Sequence, residues 1–335
     1  MKRLLYFFYY IKQTPQTTFR RFLAYAAKVT GRSRLAILLD AVGSTFRYNI
    51  SLLDYFYFRF YSLTRQDRTK WAGTGFLYEF QLRMNPKSAR EVLLDKNLFL
   101  QHFRPFVKRS FAGLQALKAN TALAESLLGN ASGRLVLKGA RGQVGAEVEV
   151  VQCAGLNHQN LIEIMQAKGY DLAEEYVIQH PALMALSPSG LNTLRIFTQL
   201  HKGKVDFLGA RLRVSVNSPV DNMAAGNLAA PVDEETGRVY GPGVYSDITR
   251  SPEALHPVTG IPIENFQIPF WPETLAMVKE ASELHPHNRS IGWDIVITPE
   301  GPGLIEGNHD WCKLVWQLPV GRGLKHLLEQ CAEHG

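Results

Sequence analysis

The stretch IGWDIVITPEGPGLIEGN, residues 291–308, decides the fold of this chain. Two apolar runs flank the turn sequence PEGPG, a pattern that predicts a β-hairpin. Asp294 lies in the first run, and Glu306 and Asn308 lie in the second. Opposed residues of paired strands project from one face of a sheet, and so do residues two apart on the same strand. We therefore expect these three side chains to converge.

Two carboxylates and an amide are oxygen ligands that suit Mg²⁺, which takes its other ligands from water and nucleotide phosphates. The alternative is that the acidic residues are ordinary solvated charges at a hairpin. The apolar neighbours Ile295 and Leu304 favour a buried hairpin, whose polar side chains would need a partner. The sequence thus predicts a magnesium site at Asp294, Glu306 and Asn308.

The rest of the chain alternates short strands with helices. Apolar and β-branched runs predict strands over 134–139, 146–153, 174–179, 192–201 and 204–214. Helical spacing of apolar residues predicts helices over 116–128, 156–169 and 271–285. Because neighbouring strands are joined by hairpins rather than by regular βαβ crossovers, we expect an α+β fold with antiparallel sheets.

The first part of the chain differs from the rest in composition. Residues 1–92 have helical periodicity, and residues 1–110 hold 20 Lys and Arg against 6 Asp and Glu. Residues 111–335 hold 17 Lys and Arg against 24 Asp and Glu. Sixteen Phe and Tyr residues precede residue 62. Such a segment suits an interfacial helix on anionic lipid, a nucleic-acid surface, or helices that pack their aromatic side chains inward. We expect inward packing, no nucleic acid, and weak, salt-sensitive peripheral membrane contact through residues 1–61.

Cysteine usage and hydropathy bear on the compartment. The chain of 335 residues has three cysteines, Cys153, Cys312 and Cys331, too far apart for a disulfide framework or a zinc motif. Its apolar runs are shorter than the roughly 18 residues that span a bilayer. We expect a cytoplasmic protein, with membrane-peripheral attachment as the alternative. The sequence does not indicate an oligomeric state.

The order of these features resembles the ATP-grasp superfamily, and most closely the sugar-transfer-associated ATP-grasp family. The segments that carry the resemblance are QHP (179–181), LNTLRIFT (191–198), VDN (220–222), IPFWPE (268–273) and residues 291–308. The order of the arginine strands and the Asn-x-x-x-Gly loop is also similar to the ribosomal-protein glutamate ligase branch. The resemblance implies an α+β ATP-grasp fold, in which two α+β subdomains grip ATP. Its implied divisions are a helical N-terminal extension (1–92), an N-terminal subdomain with a Gly-rich loop (93–180) and a C-terminal subdomain with the metal hairpin (181–335).

The same resemblance implies roles for individual nucleotide-binding residues. Lys96 and Lys138 would contact ATP phosphates, and Gly142 would belong to the glycine loop that covers them. Backbone groups near Tyr176 and Val177 would read the adenine edge, and Glu174 or Gln179 would bind polar atoms of the nucleotide. Asn222 would belong to the loop that precedes the metal hairpin. Asn227 stands in that loop where the family usually has a second glycine, and asparagine tolerates the left-handed backbone of a tight turn better than other non-glycine residues do.

The activity implied by the resemblance is that of an ADP-forming, ATP-dependent carboxylate–amine ligase with an acyl-phosphate intermediate. Such an enzyme would serve polysaccharide or small-metabolite biosynthesis, using Mg²⁺ or alternatively Mn²⁺, with a small carboxylate and an amine as substrates. Arg195 and Arg213 would stabilise the charge that develops during transfer, although their alternation with apolar residues, taken without the resemblance, favours solvated arginines on a sheet face. The alternatives are a kinase-like phosphotransferase, or an inactive ATP fold that binds a surface.

Overall fold

A computed structural model describes residues 2–141 and 148–333. The first part is helical, as expected, and several of its helices begin at a capping side chain, such as Ser33, Ser51 and Thr64. The helices are α1 (Lys2–Gln13), α2 (Gln16–Thr30), α3 (Arg34–Tyr48), α4 (Leu52–Tyr57), α5 (Arg65–Thr69), α6 (Thr74–Met84) and α7 (Glu91–Leu94). Single 3₁₀ turns occur at Phe60–Ser62 and Lys87–Ala89.

Most aromatic side chains of this region are buried or half-buried. Phe22, Tyr55, Phe56 and Phe60 form one core cluster with Trp71. The cluster also includes Ile248 and packs against Leu314 and Leu318, which belong to the carboxyl-terminal half of the chain. Inward packing is therefore confirmed for α2 to α4 and the turn that follows. Helix α1 differs, because five of its large apolar side chains are exposed.

A small antiparallel sheet follows. Its strands are β1 (Phe111–Gly113), β2 (Arg134–Lys138), β3 (Val148–Gln152) and β4 (Leu172–Glu175), in the order β1-β4-β2-β3. Its helices are α8 (Lys96–His102), α9 (Leu114–Ala119), α10 (Thr121–Leu128) and α11 (His158–Lys168), with a 3₁₀ turn at Arg104–Phe106.

Two boundaries in this part differ from the sequence prediction. The helix predicted over 116–128 is interrupted at Asn120, which has an extended backbone. The side-chain oxygen of Asn120 accepts from the Leu123 N–H and thereby caps α10. The strand predicted over 174–179 begins and ends earlier, since β4 pairs with β1 and β2 through residues 172–175.

The large sheet is also antiparallel, with the order β7-β6-β5-β8-β9. Its strands are β5 (Thr193–His201), β6 (Lys204–Val214), β7 (Leu228–Val232), β8 (Ser290–Thr298) and β9 (Gly301–Asn308). The remaining helices are α12 (Pro181–Leu186), α13 (Trp271–Leu284), α14 (Lys313–Gln317) and α15 (Lys325–Glu333), with a 3₁₀ turn at Met223–Ala225. The predicted hairpin is therefore β8 and β9, at one edge of this sheet.

Both faces of the large sheet are covered near its centre, and every residue of β8 is buried. On one face, Trp293 donates its indole N–H to Ser282 of α13 at 3.1 Å. On the other face, Trp311 and Trp316 pack against Phe197. Alternation along β8 then places Asp294 on the face opposite Trp293. In the described part of the chain, no helix combines the length and hydropathy needed to cross a membrane.

Candidate active site

A cavity of about 1100 Å³ contains most of the predicted site residues. The residues that line it come from the two sheets, from α8, from the loop before β7 and from the N-terminal helical region. Nine of the thirteen predicted site residues line it: Lys96, Lys138, Glu174, Arg195, Arg213, Asn222, Asp294, Glu306 and Asn308. Residues more than 200 positions apart in sequence, such as Lys96 and Asn308, thus share one cavity.

The hairpin brings the acidic residues together. Asp294 and Glu306 are paired opposite each other, and Gly292 is paired with Asn308. The register shifts by one residue after Asp294, so that Ile295 pairs with Leu304 and Ile305 is the extra residue of a bulge. The Asn308 amide donates to Glu306 Oε1 at 3.2 Å and to the Gly292 carbonyl at 3.2 Å. The two carboxylates and the amide are therefore neighbours on one face.

Gly292 leaves room for this arrangement. A Cβ atom at this position would lie 2.6 Å from Cβ of Trp311 and 3.4 Å from Cδ of Arg195. Only glycine allows the Trp311 side chain and the arginine to pack so close to the strand. The glycine of the IGWD sequence is thus explained by close packing beneath the site.

Two guanidinium groups hold Asp294. Arg195 donates to both carboxylate oxygens, with its Nη2 2.8 Å from Oδ2, and Arg213 donates to Oδ2 at 2.9 Å. Burial alone would raise the pKa of Asp294, but the two arginines outweigh this effect and lower the pKa to about 2. Asp294 is therefore ionised, and both arginines are buried members of a charged network rather than solvated side chains on a sheet face.

Asp221 completes this network. Its Oδ1 lies 2.5 Å from Nη2 of Arg213, and its Oδ2 accepts from the backbone N–H of Thr193 at 2.8 Å. Burial alone would lower the pKa of Arg213, but Asp221 and Asp294 outweigh this effect and raise it. Arg213 is thus clamped between two carboxylates. Its Nε–H is buried and lacks a hydrogen-bond partner among the described residues.

Glu306 has the opposite electrostatic environment. Burial raises its pKa, and the charge of Asp294 raises it further. With all groups ionised, Asp221, Asp294 and Glu306 carry three negative charges against the two positive charges of Arg195 and Arg213. The excess negative charge lies at Glu306, beside the Asn308 amide, and carboxylate and amide side chains are residue types that suit a hard cation such as Mg²⁺.

The same geometry distinguishes the three predicted metal ligands. Both oxygens of Asp294 already accept from guanidinium groups, so Glu306 and Asn308 are the donors less committed to the protein. Among the residues that the structure describes, no three His, Cys, Asp or Glu side chains are arranged to hold a metal ion. A cation at this hairpin would rest on carboxylate and amide oxygens completed by other ligands.

The opposite wall of the cavity carries two lysines. Lys138, at the end of β2, pairs with Glu174 Oε1 at 2.8 Å. Lys96 is the first residue of α8, which Asp95 caps, and its Nζ lies 3.4 Å from the Gly139 carbonyl oxygen. Burial lowers the pKa of Lys96, and the neighbouring charge of Lys138 lowers it further. Two ammonium groups that disfavour each other in a cavity suit a polyanionic ligand.

Glu174 is held more tightly than the sequence suggested. Arg109 donates its Nε–H to Glu174 Oε2 at 2.6 Å and its Nη1–H to the Leu304 carbonyl of β9 at 2.7 Å. Burial alone would raise the pKa of Glu174, but Arg109 and Lys138 outweigh it and lower the pKa to about 2. Glu174 therefore positions Lys138, and Arg109 links the small sheet to the large one.

Three predicted hinge residues, Tyr176, Val177 and Gln179, are absent from the lining that the described residues give to the cavity. The backbone N–H of Tyr176 donates to the Arg134 carbonyl at 3.1 Å, and the Arg134 guanidinium lies over the Tyr176 ring. The buried Gln179 amide donates to the Gly190 carbonyl at 2.9 Å and accepts from the Asn192 N–H at 2.8 Å. These groups are used within the protein. The predicted Gly142 lies outside the described residues.

Asn222 lines the cavity at the start of the loop before β7. Its side chain accepts from the Ala224 N–H at 3.0 Å and thereby caps the 3₁₀ turn. The left-handed backbone in this loop occurs at Gly226, with φ of 88°, rather than at Asn227. Asn227 is instead buried and ties the loop together, donating to the Val220 carbonyl at 2.7 Å and the Asn222 carbonyl at 3.0 Å.

Sequence reasoning missed two residues of the site, Arg109 and Asp221. Asp221 lies in the VDN segment that carried the resemblance, and this position was the available signal. Arg109 has no motif around it. Sequence reasoning also left unassigned the cavity end lined by Arg21, Tyr57 and Cys312.

A family model described as "Sugar-transfer associated ATP-grasp" matches residues 76–333. Among solved structures, the chain is similar to an L-amino acid ligase from Bacillus licheniformis, with 15% identity and a TM-score of 0.38 over 66% of this chain and 41% of that one. It is also similar to D-alanyl-alanine synthetase A from Vibrio cholerae, with 13% identity and a TM-score of 0.43 over 73% of this chain and 66% of that one. A third similar structure is D-cycloserine synthetase DcsG, with 13% identity and a TM-score of 0.42 over 74% of this chain and 73% of that one. Comparison with curated protein sequences gave no match. These structural similarities are too distant to indicate a reaction.

Proposed function

Since this chain belongs to the sugar-transfer-associated ATP-grasp family, we propose that it is an ADP-forming, ATP-dependent carboxylate–amine ligase. The observation that carries the proposal is the composition of the cavity. Two lysines line one wall, and a network of two arginines and three carboxylates lines the other. Cationic groups for a polyphosphate and oxygen donors for its metal ion thus face the same space.

The lysine wall is the proposed binding site for the ATP phosphates. Lys96 and Lys138 are both near the end of β2, and Glu174 fixes the Lys138 ammonium group at 2.8 Å. An ammonium group so held keeps its donors in place before the nucleotide arrives, which reduces the entropy lost on binding. Tyr176 and Val177 remain the proposed adenine contacts, through backbone groups other than the Tyr176 N–H.

Glu306 and Asn308 would hold Mg²⁺, or Mn²⁺ in its place, with Asp294 close by. When bound, such an ion neutralises phosphate charge and orients the transferred phosphoryl group. Asp294 has a second task within the chain itself, because it fixes Arg195 and Arg213 beside the hairpin. Removal of its charge would therefore disturb both guanidinium groups as well as the metal site.

The arginines are the proposed stabilisers of charge on the reacting groups. In the first step, a carboxylate oxygen of the substrate attacks the terminal phosphorus of ATP, which gives an acyl phosphate and ADP. In the second, an amine attacks the acyl carbon, phosphate leaves, and the nitrogen loses a proton. Arg195 and Arg213 both line the cavity beside Asp294, which supports a role for these guanidinium groups as donors to an oxygen that becomes negative during these steps.

The remaining end of the cavity is the proposed site of the second substrate. Arg21 and Tyr57 of the N-terminal helical region line it, together with Asp247, Arg250 and Cys312. Arg21 and Asp247 form an ion pair at 3.1 Å across this end. We propose that the N-terminal helical region determines which small carboxylate and amine are joined, in polysaccharide or small-metabolite biosynthesis.

The test is a screen for ADP release, with ATP, Mg²⁺ and pooled carboxylates, amino acids and amino sugars, read by mass spectrometry. We expect ADP, phosphate and a product equal to the two substrates joined with loss of water. The Glu306→Gln variant should abolish turnover, whereas Glu300→Gln, in the exposed turn of the same hairpin, should retain it. A stable phosphorylated product formed without an amine would instead establish a phosphotransferase. Failure to bind ATP with Mg²⁺ would contradict both.

A further inference from the structure

Helix α1 carries an outward face of large apolar side chains. Leu5 is 65% exposed, Phe8 is 62% exposed and Tyr9 is 59% exposed, and Leu4 and Ile11 are also about half exposed. Monomeric soluble proteins seldom expose contiguous apolar patches of more than a few hundred Å² unless the patch binds something. We therefore expect the outward face of α1 to contact a partner.

The opposite face of α1 is docked on the protein, which fixes the direction of the outward face. The Phe7 ring lies 5.0 Å from the Phe46 ring of α3, and the Tyr6 ring lies 6.4 Å from the Tyr78 ring of α6. Tyr10 is buried. The helix thus has two apolar faces, and only one of them is used inside the molecule.

Helix α3, on which α1 packs, carries exposed apolar side chains of its own. Leu35, Leu39, Val42 and Phe46 follow one stripe of that helix at helical spacing. Helix α1 packs on the stripe at Phe46, whereas Leu35 and Leu39 stay exposed. We define the apolar surface as Leu4, Leu5, Phe8, Leu35 and Leu39.

The rim of the apolar surface is positively charged. Lys12 follows Ile11 on α1, Arg34 precedes Leu35, and Arg47 follows Phe46, and all three are exposed. The nearby acidic residues are engaged, since Glu79 accepts from the Tyr6 hydroxyl and Asp40 accepts from Arg68 in a bidentate pair. Apolar side chains with a cationic rim match the chemistry of an anionic bilayer surface.

We propose that the apolar surface docks this protein on an anionic membrane, with the outward face of α1 in the interfacial layer. A second copy of the chain fits less well, because a two-fold contact through this surface would bring Lys12, Arg34 and Arg47 of both copies together. The proposal is independent of the ligase reaction, since none of the residues of the apolar surface lines the cavity.

The experiment is flotation of the full-length protein with vesicles of phosphatidylcholine alone and of phosphatidylcholine mixed with phosphatidylglycerol. We expect binding to the mixed vesicles, and weak binding to the neutral ones. Phe8→Asp and Leu39→Asp should each lower the partition coefficient about tenfold, because each places a charge where a side chain enters the interface. Val258→Asp makes the same change at an exposed apolar residue outside the surface and should leave binding unchanged.

Charge and apolar contact are separated by a second variant. The triple variant Lys12→Gln, Arg34→Gln, Arg47→Gln should lower the partition coefficient about a hundredfold, at about fivefold for each cation. Circular dichroism and thermal unfolding verify that every variant is folded. No flotation with mixed vesicles at low salt, or equal flotation of Phe8→Asp and the unaltered chain, would overturn the proposal. A dimer that Phe8→Asp dissociates would identify a second copy as the occupant instead.

Discussion

Arg109 provides a sharp test of how the two sheets are held together. Its guanidinium pairs with Glu174 of β4 at 2.6 Å and donates to the Leu304 carbonyl of β9 at 2.7 Å, and its side chain is almost fully buried. The substitution Arg109→Met keeps the apolar stem and removes the charge. In this variant Glu174 is paired with Lys138 but not with an arginine, and the Leu304 carbonyl loses the hydrogen bond from Arg109.

The expected cost is large because a buried charge loses its partner. Breaking a buried ion pair by removal of one member typically costs about 3–5 kcal/mol. The entropy of unfolding is about 2.1 cal/mol/K per residue, which for 335 residues gives about 0.7 kcal/mol/K. A loss of this size should therefore lower Tm by about 4–7 °C. The matched control, Arg104→Met, removes an exposed arginine from the same segment and should change stability by less than about 0.5 kcal/mol.

The pH dependence of stability follows from Glu174. Its pKa falls from the ordinary 4.5 to about 2 in the folded chain, so the unfolded chain binds more protons between these values. Stability from this group is complete above pH 4.5 and is lost as pH falls toward 2, by an amount on the order of 3 kcal/mol. In Arg109→Met the pKa of Glu174 should rise toward its unfolded value, so the loss of stability in acid that this group causes should become smaller.

The assay is thermal unfolding by differential scanning calorimetry between pH 3 and pH 7, on the unaltered chain, Arg109→Met, Arg104→Met and Glu174→Gln. Arg109→Met should be the least stable of the four at pH 7, and Glu174→Gln should flatten the acid dependence. Equal Tm values for Arg109→Met and Arg104→Met would refute the reasoning, because they would mean that the pair between the sheets contributes no more than an exposed charge.

Three other outcomes are expected. Lys138→Met should weaken binding of ATP with Mg²⁺ by about 10- to 150-fold in calorimetry, whereas Lys118→Met, on exposed α9, should not; equal affinities would remove Lys138 from the site. Gly292→Ala should lower stability by about 1–3 kcal/mol in denaturant unfolding, because its Cβ would lie 2.6 Å from Cβ of Trp311; no loss would contradict the packing argument. Gly43→Ala, at an open position inside helix α3, should raise the free energy of unfolding by about 0.5–1 kcal/mol, and a decrease would count against that helix geometry.

Sequence patterns predicted the elements better than their ends. Alternation and turn residues predicted the β8–β9 hairpin, and helical spacing predicted α13, because both signals are local. The break at Asn120 was missed because the apolar spacing continues across it, while the Asn side chain stabilises a new helix start. The early end of β4 was missed because strand pairing, rather than the apolar run after Glu175, determines where the strand stops.

The site was predictable in composition but not in its internal bonding. Acidic and amide residues in a hairpin indicate oxygen donors, yet no pattern in the hairpin reveals that Asp294 is held by Arg195 from β5 and Arg213 from β6. That contact depends on strand register, since Arg195 is paired directly with Asp294 across β5 and β8. Sequence proximity carries no information about it.

Charge balance explains why Arg109 and Asp221 escaped sequence analysis. Asp221 neutralises the charge of Arg213 on β6, and Arg109 neutralises the charge of Glu174 on β4. Such a residue is recognisable only when its partner's burial and the direction of the partner's side chain are known, because an exposed partner would need no counter-ion. Arg109 and Asp221 thus complete two clamped ion networks, one on each sheet, that hold the charged side chains of the cavity in place.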